Sequence, residues 1–155
     1  MVPIGSKAPD ALVAIRPREW VSLHALFANE PALLLFFPLA FSGTCTRELC
    51  TIAENPAVWE NAGAKPIAIS VDSPYVNVKF AESIGARFPV VSDFNREATI
   101  AYDVVRPDLG GLREVSERAV FLIDGNGIIA WNWQGEHPGV LPPFDDIVAA
   151  IERLM

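Results

Sequence analysis

The chain has two cysteines, Cys45 and Cys50, in the run Phe37-Pro38-Leu39-Ala40-Phe41-Ser42-Gly43-Thr44-Cys45-Thr46-Arg47-Glu48-Leu49-Cys50. The run leaves an apolar stretch, crosses a short Pro/Ser/Gly loop and enters what reads as the first turn of a helix. Unpaired backbone amides and the positive end of the helix dipole favour negative charge at that point. A cysteine in such a setting ionises at about pH 3.5–7.5 instead of about 8.5. The thiolate is the nucleophilic form, so Cys45 is the candidate nucleophile. If both cysteines are helical, they lie about 7.5 Å apart along the axis and point in different directions. A disulfide needs Cα atoms within about 7 Å, so the pair does not bond in an intact helix. A transient bond is open to it if the first turns unwind: one thiol reacts, the helix opens and the second thiol resolves the product.

Those residues need a frame. Ala32-Leu33-Leu34-Leu35-Phe36-Phe37 is continuously apolar, as a strand covered on both faces should be. Further strands are expected at Ile67–Asp72, Pro89–Asp93, Ala119–Asp124 and Ile128–Trp133, the last two joined as a hairpin through Asp124-Gly125-Asn126-Gly127. Helices are expected from about Gly43 to Asn61 with a kink at Pro56, from Pro74 to Ile84 with Gly85 as its stop, from Glu97 to Asp103, and from Phe144 to Leu154. The residues up to Val21 read as extra strands or loops. The order β-α-β-α-β-α-β-β-α implies an α/β fold, a central mixed sheet with helices on both faces. In such a sheet ligands bind beyond the carboxyl ends of strands, which is where Cys45 falls.

Composition narrows the function class. The 155 residues are 51% hydrophobic and 20% charged, which excludes a disordered chain and fits one domain spanning 1–155. A net charge of −7 disfavours nucleic acid and anionic membranes as partners. The longest apolar run, Ala32 to Phe41, is interrupted by Pro38 and is far short of the about 20 residues of a membrane span. The first residues lack the apolar core of a secretory signal, so a soluble cytoplasmic protein with free thiols is expected.

These residues resemble the peroxiredoxin family. Its pattern Pro-x-x-x-Thr/Ser-x-x-Cys at a helix start is matched by Pro38, Ser42 and Cys45, its Glu three residues on by Glu48, and its Arg before the closing strand by Arg118. A second cysteine five residues after the first is similar to the bacterioferritin-comigratory (Q-type) subfamily, while Pro-Leu-Ala-Phe-Ser-Gly is similar to one-cysteine AhpE-like relatives. Most of the chain takes part, from Gly5-Ser6-Lys7-Ala8-Pro9-Asp10 to the final hairpin. One departure is Ser42, where Thr is commoner; Ser keeps the hydroxyl and loses the methyl that stiffens χ1.

The resemblance implies a thioredoxin-like fold with an N-terminal extension and a thiol-dependent peroxidase acting on hydrogen peroxide and organic hydroperoxides. Cys45 thiolate attacks the peroxide and becomes a sulfenic acid. Arg118 stabilises the thiolate and holds peroxide oxygen through charge-assisted hydrogen bonds. Ser42 donates to the thiolate or orients peroxide, and the amides of Thr44 and Cys45 stabilise developing charge. Pro38 shields the sulfenic acid from water. Glu48 orients Arg118 or a neighbouring Arg. Cys50 condenses with the sulfenic acid, and a thioredoxin-like dithiol reduces the disulfide. No cofactor or metal is implied, and the assembly is a monomer or homodimer.

Plainer readings stand beside these. Cys50 is a core cysteine in its structural reading, and an external thiol then resolves Cys45. Arg118 is an ion-pair partner of Glu114 or Glu117, Glu48 a helix-face residue, and Ser42 an N-cap. His24 and His137 lack partners at zinc-ligand spacing. Trp131 and Trp133 alternate on a strand and so face one side, towards the core or a dimer contact. Gly110-Gly111 lacks a phosphate-loop pattern. A Cys-x-x-Cys oxidoreductase needs a shorter cysteine spacing, and a non-enzymatic thioredoxin-fold module needs an inert Cys45.

Overall fold

The computed structural model describes residues 1–154. Its centre is strand β3 (Ala32–Phe36), every residue of which is buried. β3 pairs in parallel with β4 (Lys65–Ser70) and antiparallel with β8 (Ala119–Ile123). Outward from this core run β5 (Val90–Ser92), β1 (Leu12–Arg16) and β2 (Glu19–Ser22) on one side and β9 (Ile129–Gln134) on the other, giving the order β2-β1-β5-β4-β3-β8-β9. The sheet is mixed, as the alternation of element types requires.

Both faces are covered, which is why β3 is apolar at every position. Leu33, Leu35 and Phe37 face α1 (Gly43–Glu54), α2 (Pro56–Asn61), α3 (Pro74–Ile84) and α5 (Phe144–Glu152), packing with Leu49, Ile52, Trp59, Phe80 and Ile147. Ala32, Leu34 and Phe36 face Leu23 and Phe27, Ala98 of α4 (Glu97–Ala101), and Tyr102. Trp131 and Trp133 pack against the first of these clusters, so their shared face is a core contact. No helix among the described residues is long and apolar enough to cross a membrane.

Three expectations are corrected. The helix expected from Gly43 to Asn61 is two helices, broken at Asn55 (φ −123°, ψ 51°). Pro56 excludes its predecessor from the helical region and takes the first position of α2, where a missing N–H leaves no bond unmade. The helices expected to end at Asp103 and Leu154 end at Ala101 and Glu152. A hairpin absent from the expected order, β6 (Val105–Leu109) and β7 (Leu112–Ser116), forms a separate two-stranded ladder. Its turn is Gly110-Gly111, both at positive φ (58° and 91°), which two-residue hairpin turns demand. Gly85, left-handed at φ 65°, ends α3 as expected, its N–H bonded to the carbonyls of Ala81 and Glu82.

Candidate active site

The site begins where β3 stops. The N–H of Phe37 still bonds to the Ile69 carbonyl at 3.0 Å, and the chain then turns away through residues 38 to 42. Asp72, just past β4, anchors this loop: its Oδ2 accepts the Ala40 N–H at 2.8 Å and the Ser70 hydroxyl at 2.7 Å. Phe41 occupies the left-handed region at φ 66°, its ring against Phe80 with centroids 5.0 Å apart. A non-glycine residue there is strained, and the aromatic contact helps to hold it. Ser42 is the N-cap residue of α1 and its carbonyl accepts Thr46 N–H at 2.9 Å.

Cys45 is the third residue of α1 and is fully buried. Glu48 follows at i+3, on the same face of the helix, and is also 0% exposed. Between them reaches Arg118, which immediately precedes β8 and is 1% exposed. Its carbonyl accepts the Gly135 N–H at 3.0 Å, so backbone bonding to the segment after β9 sets its position. Its guanidinium makes three different bonds. Nη2 donates to Cys45 Sγ at 2.9 Å, Nη1 donates to Glu48 Oε2, and Nε donates to the Pro138 carbonyl at 2.9 Å. A planar guanidinium suits this task because its fork serves several acceptors at once. Burial pushes the Glu48 carboxyl up to about 7, against the downward pull of Arg118.

A cavity of about 210 Å³ opens beside this cluster, bounded by Pro38, Leu39 and Ser42, the first turn of α1, Leu109 at the tip of β6, Arg118 and Pro138. Its lining mixes apolar residues with Ser42 and Thr44, and Arg118 is its one charged lining residue. A cysteine sulfur bonded to a fixed cation, with that cation lining a small cavity, is placed to act as a nucleophile once it is ionised.

The expected site residues therefore converge in part. Pro38, Ser42 and Arg118 line the cavity, and Arg118 joins it to the buried Cys45 and Glu48. Cys50 does not: it is half-buried one and a half turns along an intact α1, and both cysteines are free thiols. Partial burial and the nearby Glu54 carboxylate raise the Cys50 thiol. Ser42 differs from expectation in detail. Its hydroxyl donates to the Leu39 carbonyl at 3.0 Å, not to the thiol, and it makes no side-chain cap. The acceptor is the i−3 carbonyl of its own loop, so the hydroxyl braces the loop. Arg118 does not pair with Glu114 or Glu117; Glu117 pairs with Arg106 at 3.4 Å instead.

Asp72, Leu109 and the Pro138 carbonyl were not among the expected site residues. Leu109 belonged to the unrecognised hairpin, and a backbone carbonyl carries no residue-type signal. Asp72 carried only the cue of a charged residue at a strand end. His24 lies against the Pro9 carbonyl at 3.1 Å, and His137 accepts the Gly139 N–H at 3.1 Å.

Residues 4–132 match the family model described as the AhpC/TSA family. Alkyl hydroperoxide reductase E of Mycobacterium bovis is 33% identical over 131 residues, covering 83% of this chain and 83% of that protein. The putative peroxiredoxin ycf42 of Porphyra purpurea is 30% identical over 138 residues, covering 83% of this chain and 67% of that protein. The crystal structure of peroxidoxin BcpB from Mycobacterium tuberculosis superposes with a TM-score of 0.87 at 24% identity, over 100% of this chain and 99% of the other, and so shares the thioredoxin-like fold. The chain belongs to the AhpC/TSA peroxiredoxin family.

Proposed function

We propose that this member of the AhpC/TSA family is a thiol-dependent peroxidase whose reacting thiol is Cys45, working as one unit of residues 1–155. The observation that carries this reading is the 2.9 Å hydrogen bond from Arg118 Nη2 to Cys45 Sγ, made where neither side chain is open to water. A charge-assisted bond of this kind is roughly twice as strong as a neutral one, and a dry setting strengthens it further.

In the first step Cys45 thiolate attacks the terminal oxygen of a hydroperoxide. An S–O bond forms and the O–O bond breaks; sulfur is oxidised to the sulfenic acid, and the alkoxide or hydroxide leaving group takes up a proton to become an alcohol or water. Arg118 stabilises charge passing from sulfur to oxygen, with the Thr44 and Cys45 amides of the first helical turn beside it. Pro38 and Leu39 narrow the approach to the sulfenic acid, and Ser42 holds the loop that carries them.

In the second step Cys50 displaces water from the sulfenic acid, forming a Cys45–Cys50 disulfide. The geometry of an intact α1 forbids this bond, so the helix opens first. A thioredoxin-like dithiol then reduces the disulfide by exchange and is itself oxidised. Two free thiols suit a reducing compartment such as the cytoplasm.

The test is intact mass after one equivalent of hydrogen peroxide on reduced wild type, Cys45→Ser and Cys50→Ser. The expected pattern is loss of two hydrogens, no reaction, and gain of one oxygen, respectively. If wild type and Cys50→Ser both gain oxygen, Cys50 is a packing residue and an external thiol resolves Cys45. If nothing reacts, the peroxidase reading fails.

A further inference from the structure

The buried cluster holds one cation and two groups able to carry negative charge. Arg118 serves both at once, through Nη1 on Glu48 Oε2 and Nη2 on Cys45 Sγ. A thiolate and a carboxylate together would leave a net charge of one electron on a site closed to water, and a buried uncompensated charge is strongly unfavourable. A second observation says which group gives way. Glu48 Oε1 is buried and has no hydrogen-bond partner. An ionised carboxylate with one bare oxygen gains little from its charge, and the neutral acid costs less there.

We propose that Cys45 and Glu48 share a single negative charge on Arg118: Glu48 is a carboxylic acid while Cys45 is a thiolate, and it becomes the carboxylate when Cys45 is oxidised. This rests on Cys45 being the reacting thiol. The protons balance. In the resting enzyme the proton given up by the Cys45 thiol is matched by the one held on Glu48. When the thiolate attacks, sulfur becomes a neutral sulfenic acid and the leaving alkoxide needs one proton. Glu48 releases one and becomes the sole anion facing Arg118. The sum is thiol plus hydroperoxide giving sulfenic acid plus alcohol, and Arg118 faces one anion throughout.

The surroundings support this arrangement. Arg118 is the charged group acting on the Glu48 carboxyl, and burial outweighs it. On α1 itself Arg47 and Glu54 are exposed and Cys50 is half-buried. On flanking segments Glu117 is engaged by Arg106, and Glu136, His137, Asp145 and Asp146 lie at the surface. Glu48 thus acts through Arg118, as a positioning residue that keeps the charge of the cluster constant.

The experiment follows the Glu48 carboxylic-acid C=O band by infrared spectroscopy across pH, in protein labelled with ¹³C-glutamate. Three samples are compared: reduced Cys50→Ser, the same protein after one equivalent of peroxide, and Cys45→Ser. Intact mass on each sample reports whether Cys45 carries oxygen, which separates failure of the peroxidase reading from failure of this one. The band is assigned to a glutamate by its ¹³C shift and to Glu48 by its loss in Glu48→Gln or, if that variant does not fold, in Glu48→Met. The expected result is a Glu48 titration midpoint lower by at least about one pH unit, tenfold in proton affinity, in the oxidised and Cys45→Ser samples than in the reduced one. Equal midpoints in reduced Cys50→Ser and Cys45→Ser overturn the proposal, whatever peroxide does. A Glu48 already ionised at pH 6 in the reduced protein overturns it as well.

Discussion

Replacing Arg118 with methionine removes the cation and all its donors while keeping an unbranched side chain of similar reach. Three bonds disappear: the one to Cys45 Sγ at 2.9 Å, the ion pair with Glu48, and the one to the Pro138 carbonyl at 2.9 Å. For the reaction, the loss is that of one preorganised donor to charge that develops in the transition state, worth about 2.7–4 kcal/mol or about 10²–10³ in rate. For stability, deleting one partner of a buried ion pair costs about 3–5 kcal/mol if the other stays charged. Glu48 need not stay charged, since burial already holds its carboxyl near neutral pH even with Arg118 present. Without the cation it takes up a proton, and that uptake becomes easier as pH falls. The stability loss is therefore larger at pH 8 than at pH 5. Rapid-mixing kinetics with a hydroperoxide at pH 7 and urea unfolding at both pH values read the two effects separately. A rate close to wild type refutes the role given to Arg118. A stability loss that grows towards pH 5 refutes the role given to Glu48.

Three further outcomes follow from the same geometry. Cys50→Ser leaves the rate of the first oxygen transfer unchanged, because Cys50 lies away from the cavity, but it stalls turnover with a thioredoxin-like reductant; coupled turnover against single-turnover kinetics checks this. Glu48→Gln removes a pH dependence of stability. In wild type the folded state holds a proton up to about pH 7 that the unfolded chain releases near its ordinary value of 4.5. This contribution is full below about pH 4.5 and fades as pH rises through about 7, with a total span on the order of 2–4 kcal/mol. Urea midpoints of both proteins across that window test it. Gly85→Ala, at φ 65° with no atom within 4 Å of the added Cβ, costs about 1–2 kcal/mol through backbone conformation alone, readable by thermal unfolding.

Much of the frame was legible in the residues. β3 announced itself as an unbroken apolar run, and α3 by Pro74 at its start and Gly85 at its end, because those signals act locally. The loop-to-helix placement of Cys45 was legible for the same reason. The β6–β7 hairpin was not. Its strands carry Arg106, Asp108, Arg113 and Glu114 on an exposed ladder, so the alternation that marks a half-buried strand is missing. Gly110-Gly111 is its one local cue, and a glycine pair alone does not distinguish a hairpin turn from any other loop. The partner of Arg118 was ambiguous because Glu48 lies 70 residues away and Glu114 and Glu117 lie close by in sequence. Sheet topology brings α1 next to the start of β8, and no local pattern encodes that. The orientation of the Ser42 hydroxyl was equally out of reach, since it depends on where the Leu39 carbonyl points.

A buried cation holds Cys45 ready to attack peroxide. The decisive measurement is the second-order rate constant of reduced Cys50→Ser protein with hydrogen peroxide, beside free cysteine at the same pH, with oxygen on Cys45 confirmed by intact mass. A protein rate higher by at least about 10², the contribution of one such donor, is the predicted result. A rate equal to that of free cysteine means that Arg118 does not activate Cys45.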